Sequence, residues 1–499
     1  MIILLAATGL FAGCENFLDE EPKSNITTKN FYKTETDAVA ATNAIYDYLT
    51  VGTDRLFANS FGGVFFNDFW VVPELMSDNA RSTMSNVDFQ HLSNFNLEAT
   101  NQSVLRLWQD YYTTINACNT VLARVPDIDM DQQRKEQLLA EARFFRGMLY
   151  FDMMRWWGKV PFITEPTTDL SGYYQQREEK PVIYEQVIED LNWAREHFME
   201  GYRDGLGRPA PMTSEALLAR VYLTRGMENN DPQDLQSAVD KADKVINQGD
   251  YSLWPDYKDI FKLENAHDGE IILGINFSAS LSEGFKANQM LVRLLPSGLE
   301  RNNEGPRNGK GWERPTETLY NAFDENDRRR EVSFISSFTY SDGVTETFEP
   351  HFSKYWDREA EPRGHPSNAD FIYMRLAEMY LIKAEALNEI HQGPTNEAYQ
   401  AINTIRQRAR YDGSLEQGIL PDLSGLNYQE FREAVLLERQ REFAIEGHRW
   451  FDLKRFGVLE EKVEASSKEN ATPAQTHYLL PIPQREIELN NSLEQNPGY

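Results

Sequence analysis

The segment that decides the fold reads "MTSEALLARVYLTRG", residues 212–226, and is followed closely by "LQSAVDKADKVINQG", residues 235–249. In both segments apolar residues recur every three or four positions, which is the period of an amphipathic helix. Each segment ends at a glycine, a frequent helix terminator, and Thr213 or Ser214 is predicted to cap the first helix. The two segments are therefore predicted to form a helical hairpin.

The same pattern returns in "FIYMRLAEMYLIKAEALNEI", residues 371–390, followed by "NEAYQAINTIRQRA", residues 396–409. Each predicted hairpin takes roughly 34 to 38 residues, which is the length of a tetratricopeptide repeat. A third helical stretch runs from about Asn101 to Gly158, where glycine and a nearby proline predict its end. The sequence therefore predicts an all-α fold with tetratricopeptide-like hairpins, although any two antiparallel amphipathic helices would give a similar pattern.

The middle of the chain, residues 251–370, has no sustained helical period. Glycine, proline, asparagine, serine and aromatic residues dominate it, with one strand-like segment, "EIILGINFS", at residues 270–278. We therefore predict one compact body made of a helical region (31–250), an irregular insertion carrying the ligand face (251–370) and a second helical region with a tail (371–499).

Composition excludes several functional classes. The 499-residue chain carries 50 basic and 78 acidic residues, a formal net charge of −28. Such a chain repels phosphate backbones, so nucleic acid is not predicted as a partner. Two cysteines exclude a disulfide framework. No motif for a nucleotide, a metal or a catalytic serine is found, so no cofactor, metal or catalytic residue is predicted.

The first residues predict export. Residues 1–13, "MIILLAATGLFAG", form a short apolar stretch typical of a signal peptide, and Cys14 follows directly. Small residues before a cysteine are similar to the lipobox of bacterial lipoproteins, which predicts lipidation of Cys14 and a solvated acidic tether over residues 14–30. The alternative is a buried N-terminal segment in which Cys14 is merely a small apolar residue.

Aromatic side chains beside polar ones are candidates for ligand binding. A sugar ring offers an apolar face for stacking and hydroxyls for polar partners. The candidates lie in three segments, and core packing is the alternative explanation for each ring. They are Trp70, Asp78, Asn79 and Arg81 in the first, Trp312 and Arg314 in the second, and Trp356 in the third.

The densest charged segment, Glu438 to Arg455, alternates in sign at helical spacing. His448 and Asp452 are spaced so that they could share a metal, but we favour an ion-paired helix end that stabilises the C-terminal body, with Gly447 at the bend. Abundant carboxylates also leave open a glycoside hydrolase that uses a carboxylate pair, although the sequence selects no particular pair.

Seven blocks in order along the chain together resemble the SusD/RagB family of nutrient-uptake outer-membrane lipoproteins. The blocks are "FYKTETDAVAATNAIYDYL", "AEARFFRGMLYFDMMRWWGKVPFIT", "ALLARVYL", "RLAEMYLIKAEALNE", "INTIRQRAR", "ERQREFAIEGHRWFDLKRFG" and "LLPIPQREIELNNSLEQNPGY".

This resemblance implies a non-catalytic binding protein on the outer membrane. One face would cap a SusC-like TonB-dependent transporter, and the opposite, loop-rich face would hold an oligosaccharide or, in some members, a peptide. By region, the resemblance adds Phe89 and His91 to the candidate ligand-binding residues. It also implies anchoring in the membrane through the lipid on Cys14, with the protein at the cell surface.

Overall fold

The computed structural model describes residues 31–50, 62–167, 174–199, 201, 207–278, 288–301, 304–306, 309–356, 367–410 and 420–499. Cys14, the predicted signal peptide and the predicted tether lie outside the described residues, so the predictions made for them stay predictions.

Helices dominate these ranges. The α-helices are α1 (Glu35–Thr50), α2 (Asp68–Leu75), α3 (Val87–Asn94), α4 (Gln102–Arg124), α5 (Gln132–Trp157), α6 (Lys180–His197), α7 (Pro211–Asn229), α8 (Pro232–Gln248), α9 (Met290–Leu294), α10 (Glu317–Asn321), α11 (Arg328–Ser333), α12 (Leu376–His391), α13 (Asn396–Ala409), α14 (Tyr428–Glu442), α15 (Arg449–Phe456), α16 (Leu459–Glu464) and α17 (Gln484–Leu489).

The strands form antiparallel pairs: β1 with β5, β2 with β3, β4 with β8, and β6 with β7. They are β1 (Ala80–Ser82), β2 (Val160–Pro161), β3 (Arg177–Glu178), β4 (Ile271–Ile275), β5 (Glu313–Pro315), β6 (Phe334–Thr339), β7 (Thr345–Phe352) and β8 (Phe371–Arg375).

The predicted helical hairpins are present. Helix α7 packs on α8 and α12 packs on α13, while α8 and α12 bring the two hairpins into contact. At Gly226 the helices approach so closely that an added Cβ would lie 3.0 Å from Leu235, which leaves little room for a larger residue. The prediction of an all-α fold with tetratricopeptide-like hairpins and minor strands is confirmed.

Several helix ends differ from their predictions. Helix α7 begins at Pro211, so Thr213 and Ser214 lie inside its first turn, and Thr213 Oγ1 accepts a hydrogen bond from the Ala210 N–H. Residues 371–375, predicted as helix, form strand β8, because this buried aromatic and β-branched segment pairs with β4. The ends of α5 at Gly158 and of α8 at Gly249 are confirmed. The predicted end at Gly226 is wrong, because α7 continues through it to Asn229.

A continuous buried apolar cluster extends from Ala38 in α1 to Leu493 near the C-terminus. Through it, the helical hairpins and the irregular middle share a core, which fixes the strands of the middle against the helices. Within the described ranges, no helix has both the length and the apolar character required to cross a membrane.

Beside this apolar cluster lies a set of buried ion pairs, here called the ion-pair core. It consists of Glu270, Arg329, Arg375, Arg408, Glu438, Glu442 and Glu446, and their side chains are at most 3% exposed. Arg375 Nε lies 2.8 Å from Glu446 Oε2, and Arg329 Nη1 lies 2.6 Å from Glu438 Oε1. These pairs join α11, α13 and α14 to β8.

The charged segment Glu438 to Arg455 contributes three carboxylates to this core, and Gly447, at φ 78°, forms the bend before α15. Asp452 pairs with Arg439 and Arg455, while the ring of His448 stacks on Phe443. The structural interpretation of this segment is confirmed.

Candidate functional site

Strands β1, β5 and β7 bring two arginines to a common carboxylate at the surface. Arg81 stands opposite Arg314 in the β1–β5 register. Arg81 Nη2 lies 3.1 Å from Glu349 Oε2, and Arg314 Nη1 lies 2.6 Å from the same oxygen. Trp312 directly precedes β5 and is half-buried. We call these four residues, Arg81, Trp312, Arg314 and Glu349, the arginine–tryptophan surface.

The backbone at Trp312 is held by Thr83 and by a close approach at Gly311. The Thr83 N–H donates to the Trp312 carbonyl at 2.7 Å, and the Thr83 hydroxyl donates to the Gly311 carbonyl at 2.7 Å. Gly311 has φ 57°, and a Cβ there would lie 2.5 Å from His351 Nε2. Only glycine suits this conformation and spacing, so the turn before β5 has little freedom.

Beneath the arginine–tryptophan surface lies a buried pair, Arg293 and Glu313, with Arg293 Nη2 2.8 Å from Glu313 Oε1. The Arg293 guanidinium lies 4.2 Å from the centroid of the Phe89 ring and 5.4 Å from that of the Trp312 ring. Cation–π contact at these distances restrains both rings. The tryptophan is therefore supported from within the protein before any ligand arrives.

The two carboxylates of this region differ in environment. Hydrogen bonding and the charge of Arg314, with Arg81, hold the pKa of Glu349 below its ordinary value, so Glu349 stays ionised at neutral pH. Burial raises the pKa of Glu313, opposed by Arg293. Glu349 is the exposed member, and its side chain retains 63% of its accessible surface.

A second recess, here called the hairpin cleft, lies beside the β6–β7 hairpin and has a volume of about 630 Å³. Its lining mixes rings with charged and hydroxyl side chains, including Tyr320, Arg328, Arg330, Glu331, Phe338 and Trp356. The Trp356 and Phe338 rings lie 6.2 Å apart, and the Arg330 guanidinium lies 4.4 Å from the Tyr320 ring. This composition also suits a polar ligand with an apolar face.

The structure therefore brings together three of the predicted ligand-binding residues, Arg81, Trp312 and Arg314, with a fourth, Phe89, buried beneath them. Trp356 lies apart from them in the hairpin cleft. His91 sits on α3 with intermediate exposure, and its carbonyl accepts the N–H that caps this helix.

The remaining three candidates lie in the interior. Trp70 is fully buried within α2, and Asp78 is bound by Arg449 through two contacts of 2.7 Å. Asn79 donates to Glu74 Oε2 and accepts from Gln440. These side chains are buried and offer no surface to a ligand, so Trp70, Asp78 and Asn79, predicted as ligand-binding residues, do not belong to the candidate site.

Sequence reasoning missed the β6–β7 hairpin, which supplies Glu349 and Phe338. The signal for it was present: Asp342-Gly343 is a common turn pair, and polar and apolar residues alternate over residues 347–352, "TFEPHF". Arg293 and Glu313 carried no comparable signal, because their pairing depends on residues brought together by the fold.

Chemically, the arginine–tryptophan surface offers guanidinium donors, one carboxylate acceptor and a partly exposed indole. In the described part of the chain, no group of three or more His, Cys, Asp or Glu side chains is arranged to hold a metal. The arrangement is suited to binding hydroxyl groups and an apolar ring face.

Two family models match this chain. Residues 336–499 match the model described as "SusD family", and residues 16–223 match the model described as "Starch-binding associating with outer membrane". Together they cover the first helical region up to residue 223 and the whole of the second, and their order agrees with the order of the blocks in the sequence.

Individual proteins match over similar lengths. The chain is 29% identical over 518 residues to SusD-like protein P2 of Formosa agariphila, covering 98% of this chain and 97% of that protein. It is 25% identical over 426 residues to the starch-binding protein SusD of Bacteroides thetaiotaomicron, covering 72% of each. A solved laminarin-binding SusD-like protein superposes with a TM-score of 0.76 at 25% identity, covering 94% of this chain and all of that one.

Proposed function

This chain belongs to the SusD family, and on that premise we propose that it binds a nutrient oligosaccharide and does not cleave it. Matched proteins of the family are described as binding starch or laminarin. The observation that carries the proposal is the arginine–tryptophan surface, in which a supported indole lies beside two arginines that share one exposed carboxylate.

In the proposed complex, the apolar face of one sugar ring rests on the exposed part of the Trp312 indole. Arg81 and Arg314 donate to sugar hydroxyls, and Glu349 accepts from them. Because Glu349 already holds both guanidinium groups, these donors are positioned before the ligand arrives, and less conformational entropy is lost on binding.

The carboxylates support binding without hydrolysis. A glycoside hydrolase needs one protonated and one ionised carboxyl group facing the same glycosidic bond. Glu349 is held ionised by its arginines, and the side chain of Glu313 is fully buried against Arg293. Neither of these two groups is suited to act as the exposed general acid of such a pair.

A peptide is the alternative ligand, since the same arginines would pair with peptide carboxylates. The two ligands make different demands on the surface. A neutral oligosaccharide needs the indole and leaves the Glu349 pairs intact, whereas an acidic peptide competes with Glu349 for the arginines. Binding of an acidic peptide should therefore weaken steeply with salt, and binding of a neutral glycan should not.

The test is isothermal titration of the purified protein with a panel of soluble oligosaccharides and acidic peptides, together with analysis of released sugars. We expect saturable binding of at least one oligosaccharide without release of reducing ends. Binding of peptides alone would favour the alternative ligand, and measurable hydrolysis would contradict the proposal.

We also propose that the protein is anchored to the outer membrane through lipid on Cys14 and delivers its ligand to a SusC-like TonB-dependent transporter. The family description of association with the outer membrane supports the location. Replacing Cys14 with alanine in cells that lack the transporter should move the protein into the soluble fraction, because the lipid would be its only attachment. Retention in the membrane fraction would refute the anchor.

A further inference from the structure

A separate cavity of about 340 Å³ lies where α5, α7, α14 and α15 meet, away from the strands that build the arginine–tryptophan surface. Its lining is unusually basic. The cationic side chains are Arg155, Lys180, Arg220, Arg439, Lys454 and Arg455, against the carboxylates Glu228, Glu378 and Asp452. We call this recess the cationic cavity.

Most of its charges are paired. Arg220 contacts Glu378, Arg439 contacts Asp452 at 2.9 Å, and Arg455 contacts Glu385 at 2.6 Å. Lys180 pairs with Glu228, and Arg155 pairs with Asp152.

Lys454 is the exception. Among the ion pairs of the described residues none includes Lys454, whose ammonium donates to the Arg155 carbonyl and lies 3.6 Å from the centroid of the Trp450 ring. Five of the six basic side chains of the lining are thus paired with carboxylates, and Lys454 is the one to which none of the described residues supplies a carboxylate partner.

Two guanidinium N–H groups of the lining also lack acceptors. Arg155 Nε and Arg439 Nη1 are buried and make no hydrogen bond within the described part of the protein. Arg439 is only 2% exposed. A buried donor left without an acceptor costs about 1–3 kcal/mol, and more when the group is charged. Both atoms have almost no accessible surface, so an acceptor in the cavity removes this cost only when the two side chains turn to meet it.

Burial, and after it the neighbouring cations, lower the pKa of two bases that line the cavity. Burial, with the charges of Lys180 and Arg155, holds the pKa of Lys454 well below its ordinary value. Burial, with Arg220 and Arg439, lowers the pKa of His448 in the same way. A bound anion would favour the charged form of both groups.

We propose that the cationic cavity binds a small tetrahedral oxyanion such as phosphate or sulfate. The Lys454 ammonium supplies the opposing charge, and the guanidinium groups of Arg155 and Arg439, which also line the cavity, turn towards the ion and donate hydrogen bonds to it. At about 30 Å³ for each water molecule, the cavity has room for such an ion together with several waters. An anion would stabilise the charged form of Lys454, a neutral ligand would not, and a cation would be repelled by the paired and unpaired cations of the lining.

The test is isothermal titration of the full chain with sodium phosphate and, separately, with sodium sulfate, at an ionic strength held constant with sodium chloride. We expect saturable binding of one ion per chain. Lys454→Met should weaken it at least about tenfold, because one charge-assisted contact is lost. The matched control is Lys468→Met, since Lys468, like Lys454, donates to backbone carbonyl groups, here those of Leu75 and Ser77, but is not part of the lining of the cavity. The Lys468→Met variant should bind the ion with the same affinity as the unmodified protein.

The proposal is overturned if neither ion gives saturable heat, which would mean that the cavity holds water only. Equal affinity in Lys454→Met and the unmodified protein would likewise overturn it. If Lys454→Met does not fold, Met227→Glu tests the same site, because Met227 is a half-buried residue of the lining. A carboxylate there should repel the ion and weaken binding at least about tenfold, and unchanged affinity would contradict the site.

Discussion

Arginine–carboxylate pairs build both the ion-pair core and the arginine–tryptophan surface, but only the first set is shielded from water. Glu442 is fully buried and is contacted by Arg329, Arg375 and Arg408. Glu349 binds two arginines as well, yet its side chain remains 63% exposed. The same chemistry therefore fixes the fold in one place and leaves donors within reach of a ligand in the other.

The two regions differ in the burial of their carboxylates. Burial alone would raise the pKa of Glu442, but Arg408, Arg375 and Arg329 hold this pKa well below its ordinary value. Removing one partner from a buried set leaves an uncompensated charge, whereas exposed pairs exchange readily with water. A pair at the surface can thus make further hydrogen bonds to a ligand at small cost.

The largest effect should come from Glu442→Gln, which leaves three buried arginines facing a neutral amide. We expect the free energy of unfolding to fall by about 3–5 kcal/mol. Urea unfolding followed by circular dichroism measures this. The matched control is Glu349→Gln, which should change the free energy by less than about 1 kcal/mol. Equal effects of the two substitutions would abolish the distinction between the regions.

Glu74 is a third kind of carboxylate in this protein: it is buried, and no ion pair among the described residues includes it. Burial raises its pKa from 4.5 to about 7. Its protonated form is therefore favoured in the folded state, so its contribution to stability is complete below pH 4.5 and is lost as the pH rises through 7.

The substitution Glu74→Gln should remove this dependence. Relative to the variant, the unmodified protein should lose about 3 kcal/mol of unfolding free energy between pH 4.5 and pH 8. Urea unfolding of both proteins across this range measures the difference. Parallel pH profiles of the two proteins would show that Glu74 is ionised in the fold.

Arg314→Ala tests the exposed region. We expect a loss of about 1.5 kcal/mol in glycan affinity, roughly tenfold, with little change in stability, because one hydrogen-bonding cation is removed from solvent-accessible contacts. Titration with the oligosaccharide found for the unmodified protein measures it. Arg328→Ala is the control, as Arg328 is an exposed arginine of the hairpin cleft. A similar loss in both variants would count against the arginine–tryptophan surface.

Local patterns predicted the helices, because helical period and terminating glycines act over a few residues. Gly158 and Gly249 end α5 and α8 as expected. The charged segment around Glu442 was also interpreted correctly as structural, since alternating signs at helical spacing favour ion pairs.

The site was predicted only in part, because burial depends on distant partners. Asp78 looked like a ligand-binding acid, but Arg449 binds it inside the protein. Arg81 and Arg314 were both named, yet their pairing across β1 and β5 and their shared Glu349 arise only in the folded chain. No local pattern marks which polar residues will be exposed.

We propose that the arginine–tryptophan surface, and not the hairpin cleft, holds the oligosaccharide. The most direct test is titration of one glycan into Trp312→Ala and Trp356→Ala, with folding checked by circular dichroism. We predict that Trp312→Ala weakens binding at least about 30-fold, as expected for a central aromatic contact, while Trp356→Ala stays within about threefold of the unmodified protein. Unchanged affinity in Trp312→Ala, or a greater loss in Trp356→Ala, would contradict this account.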